Sequence, residues 1–379
     1  MLSLNPNEGG QFRVTAVDGP PGRPPSWQVP LREVARVESA DPRQIMAFLV
    51  DHEAGIAADQ VGIGLLFGAR GCATLGRVPL GAESPVAVPE CVAVAFERGA
   101  TTAKPGGGDA PECTVGEWTT SWTDGEHAAA VETVRQAIAR GDVYQANVVG
   151  HRSAPFTGDP RALVAALPGG RYAGSLAGEG WLVASASPEQ AVRVLGSRIT
   201  TEPIKGTAHD PAVLRSSAKD RAEHVMIVDL ERNDLARVTT AGSVVVEELY
   251  AVASWAGLWH ASSVVAGELR AGVDTADVLA AVLPGGSVTG APKHAACRLL
   301  ASLEPVGRGP AMGALGFLCR DGLDLGLTIR TLAAAHGRVH LWAGGGVTWG
   351  SDPAAEVAEA HAKAAPILQA LAQVRPASS

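Results

Sequence analysis

Apolar residues along this chain recur at two periods, and the alternation between them lays out the secondary structure. Toward the N-terminus, short apolar runs at 45–50, 63–67 and 86–96 alternate with Gly and Pro, the pattern of several strands with one or two short helices. Val131, Val134 and Ile138 then recur at spacings of three and four, which predicts a helix over 125–140 with Asp124 as its N-cap. A strand at 143–149 carries Tyr144, Gln145 and Asn147, and a short helix follows at 161–167. Strands at 181–187 and 190–195 flank Pro188-Glu189, and a single long helical region is expected over 210–237. A strand at 243–253 comes next, whereas 260–269 fits either period. Helices at 275–282, 293–303 and 354–372 enclose three strands expected at 312–318, 324–332 and 338–342. Strands outnumber helices and do not alternate strictly with them, which predicts an α+β fold.

The stretch 185–234 stands out within this layout. It is mostly polar, yet the runs AVRVL and VMIVDL tie it to a core, and it holds Glu189, Lys205, Glu223, Asp229, Arg232, Asn233 and Asp234. Lys205 lies in PIKGT, where Pro203 fixes φ and Gly206 allows a bend or a close approach. Its direction is set by the backbone, as a nucleophile or an anion anchor requires.

Composition narrows the classes. With 379 residues, 46% hydrophobic and 18% charged, the chain is an ordinary globular protein long enough for a large core or for two domains. Aromatics are scarce at 4%, so Ala, Val and Leu fill most of the interior. A net charge of −8 argues against a nucleic-acid partner but leaves room for a local cationic pocket. The five cysteines, odd in number and without CxxC spacing, predict reduced thiols and a cytoplasmic location. MLSLNPNEGG has neither the n-region nor the h-region of a signal peptide, and no apolar run is long enough to span a membrane. The segment KPGGGDAP at 104–111 reads as a linker or a long surface loop.

Three groups of residues carry candidate chemistry. Glu223 sits in a helical pattern, and Glu356 and Glu359, three apart, share a face of the last helix. Carboxylates from two helices can hold Mg²⁺, and the same residues also suit a solvated acidic face. The Gly-rich run LPGGSVTGAPK can offer successive N–H groups to an anion, with Thr289 adding a hydroxyl, or can be a tight turn before a capped helix. It lacks the GxxxxGK[ST] spacing of a Walker A loop. Gly344, Gly345 and Gly346 follow an apolar strand, where adjacent glycines allow close approach of the backbone. Lys205, His260 and Arg330 supply cationic or titratable groups, and Arg330 ends the run LGLTI, from which its guanidinium can grip a carboxylate. No GxSxG elbow supports a serine hydrolase. A metal, an anion loop, an Arg, a Lys and a Glu together imply a small polyanion with a leaving group to be protonated.

The strings GDVYQAN, SPE, PIKGT, AEHVMIVDLERNDLARV, LPGGSVTGAPK, IRT and SDPAAEVAEAHAKA, in this order, resemble the chorismate-utilising enzymes. That group includes the large subunits of anthranilate synthase and aminodeoxychorismate synthase, with isochorismate and salicylate synthases as cousins. The resemblance runs from about Ala128 to about Leu371. It implies two packed antiparallel sheets surrounded by helices, with 1–115 a weakly matching part of the same fold and 116–379 the chorismate-binding catalytic domain. It implies Mg²⁺ as cofactor, held by Glu223 and Glu359 with Glu356 beside its waters. Arg330 and the Gly344–Gly346 amides would bind the enolpyruvyl carboxylate, with Lys363 also in the substrate site. Thr289, Gly206 and Thr207 would line the ring pocket, His260 would stand near the leaving hydroxyl, and Glu189 would protonate it.

Two positions separate the reactions within this group. Enzymes that add water at ring carbon 2 resemble one another in a base Lys where this chain has Gln145, and an amide takes no proton from water. Lys205 is similar to the nucleophile of aminodeoxychorismate synthase, a position that is usually Ala in anthranilate synthase. The resemblance thus implies amination of chorismate to 4-amino-4-deoxychorismate, with ammonia from a separate glutamine amidotransferase subunit. Anthranilate synthesis and a non-catalytic chorismate-binding subunit are the rival readings. Two departures from the family pattern are Ala311, where a Tyr is common, and Gly350.

Overall fold

The computed structural model describes residues 11–14, 29–53, 56, 60–98, 112–255 and 258–374. The 104–111 segment lies outside these. In chain order the elements begin with β1 (Gln11–Val14), β2 (Val29–Ser39), α1 (Pro42–Glu53), β3 (Gln60–Phe67), α2 (Ala69–Gly76), β4 (Cys91–Arg98), β5 (Cys113–Val115), β6 (Thr119–Thr120) and α3 (Asp124–Ala139). Then come β7 (Gln145–Gly158), α4 (Arg161–Ala166), β8 (Tyr172–Gly178), β9 (Trp181–Ser187), β10 (Gln190–Leu195), β11 (Arg198–Glu202), β12 (Ile204–Ala208), α5 (Pro211–Ser216) and α6 (Ala218–Ala236). The chain continues through β13 (Val245–Trp255), β14 (Leu258–Glu268), α7 (Thr275–Val282), α8 (Gly286–Thr289), β15 (Gly290–Ala291) and α9 (Lys293–Leu303). It ends with β16 (Ala314–Cys319), β17 (Gly322–Leu327), β18 (Thr331–Ala335), β19 (Arg338–Val347) and α10 (Pro353–Ala372).

The strands form two antiparallel sheets, the α+β arrangement expected. One has 11 strands in the order β1-β2-β4-β3-β16-β17-β10-β11-β14-β12, with β13 also on β14. The other has 8 strands in the order β15-β7-β19-β18-β9-β8, with β5 and β6 on β7. β3 pairs with β16, so strands from the N-terminal part extend the sheet that carries β10 and β12. The largest apolar core draws on both sheets, from Val92, Val192, Ile199 and Leu325 on one to Val183, Ala333 and Trp342 on the other. The sheets touch where a Cβ at Gly326 would meet Tyr172 at 2.3 Å, a spacing that only glycine permits. α4 and α10 cover the outer face of the smaller sheet through Leu163, Ala364, Ile367 and Leu371, and α3 and α9 pack on β7.

The strands expected over 143–149 and 338–342 are the longer β7 and β19, the second containing Gly344–Gly346, and three further elements differ for a local reason. The helix over 210–237 is two helices, because Ser217 adopts an extended conformation and caps α6 by accepting from the Asp220 N–H. Asp124 is the first residue of α3 and not its cap; Thr123 caps, in a reciprocal box with Glu126. The single strand expected over 324–332 is split between β17 and β18, which belong to different sheets. Apolar periodicity runs unbroken through LGLTIRTL and gives no sign of the break. The segment 260–269, ambiguous in sequence, lies in β14.

Candidate functional site

Two crossovers between the sheets, side by side, build the centre of the site. The chain leaves the smaller sheet after β9 and enters the larger at β10, passing through Pro188 and Glu189. It returns between β17 and β18, passing through Thr328, Ile329 and Arg330. Leu327 N–H donates to the Glu189 carbonyl at 3.0 Å and Ala186 N–H to the Arg330 carbonyl at 3.1 Å, so the two links are zipped together. Arg330 takes φ 52, a left-handed conformation that suits a sharp turn between sheets. The Thr328 hydroxyl locks that turn, donating to the Pro310 carbonyl at 2.6 Å and accepting from Gly313 N–H at 2.7 Å.

Glu189 is 5% exposed, and burial raises its carboxyl above the ordinary value. Lys205 is the strongest opposing influence, with Ser287, the Ile204 amide and Lys363 also favouring the charged form. Burial lowers the Arg330 guanidinium from its ordinary value, and Glu189 opposes that fall. A carboxyl raised by burial, with cations facing it, is suited to act as a general acid.

Lys205 lies on β12, where pairing with β14 slips between Ile204 and Thr207. Gly206, at φ 88, takes up the irregularity that aims the lysine inward. The Lys205 amine donates to the Ser287 carbonyl on α8 at 3.3 Å. Beneath it His224 is fully buried, its Nε2 2.9 Å from the carbonyls of Lys205 and Ala261 and its Nδ1 3.0 Å from the Ser263 hydroxyl. The Lys205 backbone N–H also lies 3.1 Å from Nε2. His260 on β14 is 1% exposed and lies 3.0 Å from the Thr207 hydroxyl through Nδ1. The Thr289 hydroxyl donates to the Gly285 carbonyl at 2.7 Å. Arg308 fixes α8 from the side: it donates to the carbonyls of Val288 and Asn147, each at 2.6 Å, and pairs with Glu304.

The three glycines lie within β19, each pressed by a neighbour. A Cβ at Gly346 would meet Gln145 Nε2 at 2.1 Å, and one at Gly344 would meet the Val148 carbonyl at 2.0 Å. Gln145 is fully buried, and both ends of its amide are without hydrogen-bond partners among the described residues. Unpartnered amide atoms in a buried position suit a polar ligand. A Cβ at Gly345 would stand 3.1 Å from Glu356, 3.5 Å from Glu359 and 3.6 Å from the Lys363 amine, so the acids of α10 converge over bare backbone. Ser351 donates to Glu356 at 2.6 Å, and Lys363 pairs with Glu359 at 2.7 Å while donating to the Gly344 carbonyl at 3.0 Å. Two carboxylates over a glycine fit the hard-ion chemistry of Mg²⁺. Glu223 lies on α6, and among the described residues no group of three or more His, Cys, Asp or Glu is gathered as a metal cage.

The structure thus brings Glu189, Lys205, Arg330 and Ser287 together at the crossovers, and Glu356, Glu359 and Lys363 together over Gly345. His224, Ser287 and Arg308 were not singled out from the sequence. His224 stands next to Glu223 in AEHVMIV and gave the one available signal, a histidine inside an apolar run. Ala311 is buried at 1%, whereas a Cβ at Gly350 would meet nothing within 4 Å, so the second departure falls in open space. A wider cavity of about 710 Å³ lies at the far end of β9, between Arg36, Trp181 and His336, and shares no residue with this cluster. None of the described helices is long and apolar enough to cross a membrane.

The chain is 40% identical to anthranilate synthase component 1 of Streptomyces coelicolor over 276 residues, 69% of this chain and 54% of that one. It is 37% identical to aminodeoxychorismate synthase component 1 of Escherichia coli over 269 residues, 67% of this chain and 59% of that one. The chain therefore spans little more than half the length of these relatives. The crystal structure of anthranilate synthase component I from Streptococcus pneumoniae superposes with a TM-score of 0.73 at 26% identity, covering 81% of this chain and 80% of that one. The profile of the chorismate binding enzymes matches residues 95–369, and the chain belongs to that family.

Proposed function

We propose that the chain aminates chorismate to 4-amino-4-deoxychorismate. The observation that carries this reading is the Lys205 amine, directed by the β12 irregularity to the Ser287 carbonyl and acting as the strongest cation on the buried Glu189. An amine and a proton donor on one wall of a dry cleft suit a two-stage displacement. Lys205 passes a proton to Glu189 and, as the free amine, bonds to ring carbon 2 while the 4-hydroxyl leaves as water with that proton. Ammonia then attacks carbon 4, the ring electrons shift back, and the lysine departs as the amine. The surplus proton of the incoming ammonia restores Glu189. Glu359 and Glu356, with Glu223, would hold Mg²⁺, which supplies positive charge for the ring carboxylate. Arg330 and the glycine backbone of β19 would receive the second carboxylate, with Lys363 close to both. Gln145 stands where water activation would need a base, which supports amination over hydration.

Relatives named component 1 support an ammonia source on a second protein, a glutamine amidotransferase, with free ammonium as its substitute in vitro. Soluble cytoplasmic biosynthesis, in a folate or specialised pathway, is the setting that fits this reading. The experiment is mass spectrometry of the product from purified protein with chorismate, Mg²⁺ and ammonium. The mass of 4-amino-4-deoxychorismate is expected. Anthranilate formed without an added lyase would overturn the reading in favour of the activity named for the Streptomyces coelicolor relative. Chorismate bound but never turned over would point to a regulatory subunit.

Glu189→Gln should lower turnover by about 10²- to 10⁴-fold, because the amide keeps the shape and removes the proton. Chorismate affinity should change little, which equilibrium titration would check.

A further inference from the structure

Two buried carboxyl groups outside the cluster described so far share one lysine. Glu231 and Asp234 lie one turn apart on α6, each 6% exposed, and face the interior together. Lys293, the first residue of α9, donates to Asp234 Oδ2 at 2.7 Å. Arg237 is exposed and donates to the Ala281 carbonyl at 3.3 Å. One buried cation thus serves two buried carboxyls, and charge balances when one of them keeps its proton. Asp234 holds the lysine, so the proton belongs on Glu231. Burial pushes Glu231 up to about 8; Asp234 adds to the rise, Lys293 opposes it, and Glu189 adds further.

Glu231 also reaches the site. A Cβ at Gly286 would meet Leu230 at 2.5 Å and Glu231 Oε1 at 3.3 Å, so α8 rests on this stretch of α6. The next residue, Ser287, accepts from Lys205 and lies against Glu189. Thr201 of β11 faces Glu231 from the other side. We propose that Glu231 is a positioning residue for Glu189 and Lys205: as a neutral carboxylic acid it seats α8 against both groups without placing a charge behind them. The inference rests on the roles proposed for those two residues. Ionised, Glu231 would set a buried charge against Asp234 on its own helix and Glu189 at the β9 to β10 crossover, with Lys293 of α9 already engaged.

The test compares wild type, Glu231→Gln and Asp234→Asn from about pH 5 to about pH 10. Thermal unfolding without substrate reads the proton. The folded carboxyl keeps a proton that the unfolded chain loses near about 4.3, so wild type loses stability as pH rises through that window. Glu231→Gln has no such proton, and its Tm advantage should widen until about pH 8. A constant Tm difference overturns the neutral state. Chorismate consumption with Mg²⁺ and ammonium reads the positioning. Glu231→Gln should keep kcat within about threefold near neutral pH, with KM unchanged, and fall less steeply above about pH 8, where wild type loses the Glu231 proton. Asp234→Asn removes the charge that raises Glu231, so its steep loss should begin at lower pH. Superimposable profiles overturn the proposal, as does a folded Glu231→Gln that has lost about tenfold or more at neutral pH. Wild type inert toward chorismate at every pH would instead sink the roles of Glu189 and Lys205, while the unfolding data still decide where the proton sits.

Discussion

Lys205→Ala is expected to lower amination by about 10³-fold, some 4 kcal/mol of barrier, while Mg²⁺-dependent chorismate binding persists. The expectation follows from how the side chain is held. Its backbone is fixed by the strand pairing of β12 and by His224 below, and only the amine reaches across to Ser287. Truncation therefore removes the nucleophile and leaves the wall standing. The half-buried lysine contributes little apolar packing, so Tm should shift by no more than a few degrees. The discriminating measurement is product formation with saturating ammonium, alongside chorismate binding by titration. Turnover within about threefold of wild type would remove the covalent role and leave Lys205 as an electrostatic neighbour of Glu189.

Glu359→Ala is expected to weaken Mg²⁺ affinity by at least about 100-fold and to abolish metal-dependent turnover at ordinary Mg²⁺ concentrations. Glu359 is exposed and pairs with Lys363 at 2.7 Å, so its loss should not disturb the fold. The increase in Tm on adding Mg²⁺ reads the metal without reference to activity. In wild type that increase should be clear, and in the variant it should vanish. An unchanged Mg²⁺ shift would take Glu359 out of the metal site. Glu356 is the more buried of the two and is anchored by Ser351, so its substitution would mix folding with binding and is the poorer test.

Much of the scaffold was legible before the structure. β9, β10, α7 and α9 begin and end where periodicity and turn residues put them, because each is a short amphipathic or fully apolar run bounded by Pro, Gly or a capping side chain. The α10 acids were readable as one helical face, since a spacing of three fixes that geometry locally. The break at Ser217 and the division of 324–332 between two sheets were not legible. A serine inside a helical pattern either continues or caps, and an apolar run does not say which sheet receives it.

The sequence by itself determined the kinds of group available: an amine between Pro and Gly, an acid after SP, glycines where backbone must come close, and paired acids on the last helix. It also carried the motif order that marks the chorismate binding family. Only the tertiary structure decided which of these groups meet. Glu189 and Arg330 are far apart in the chain and become neighbours because β9 pairs with β18 while β10 pairs with β17, which forces the two links to cross between sheets side by side. Lys205 reaches them through α8, which in turn rests on Glu231. Local sequence sets dihedral preferences within a few residues. Charge, burial and proton placement depend on what packs from other elements, and that is fixed only when the sheets close on each other.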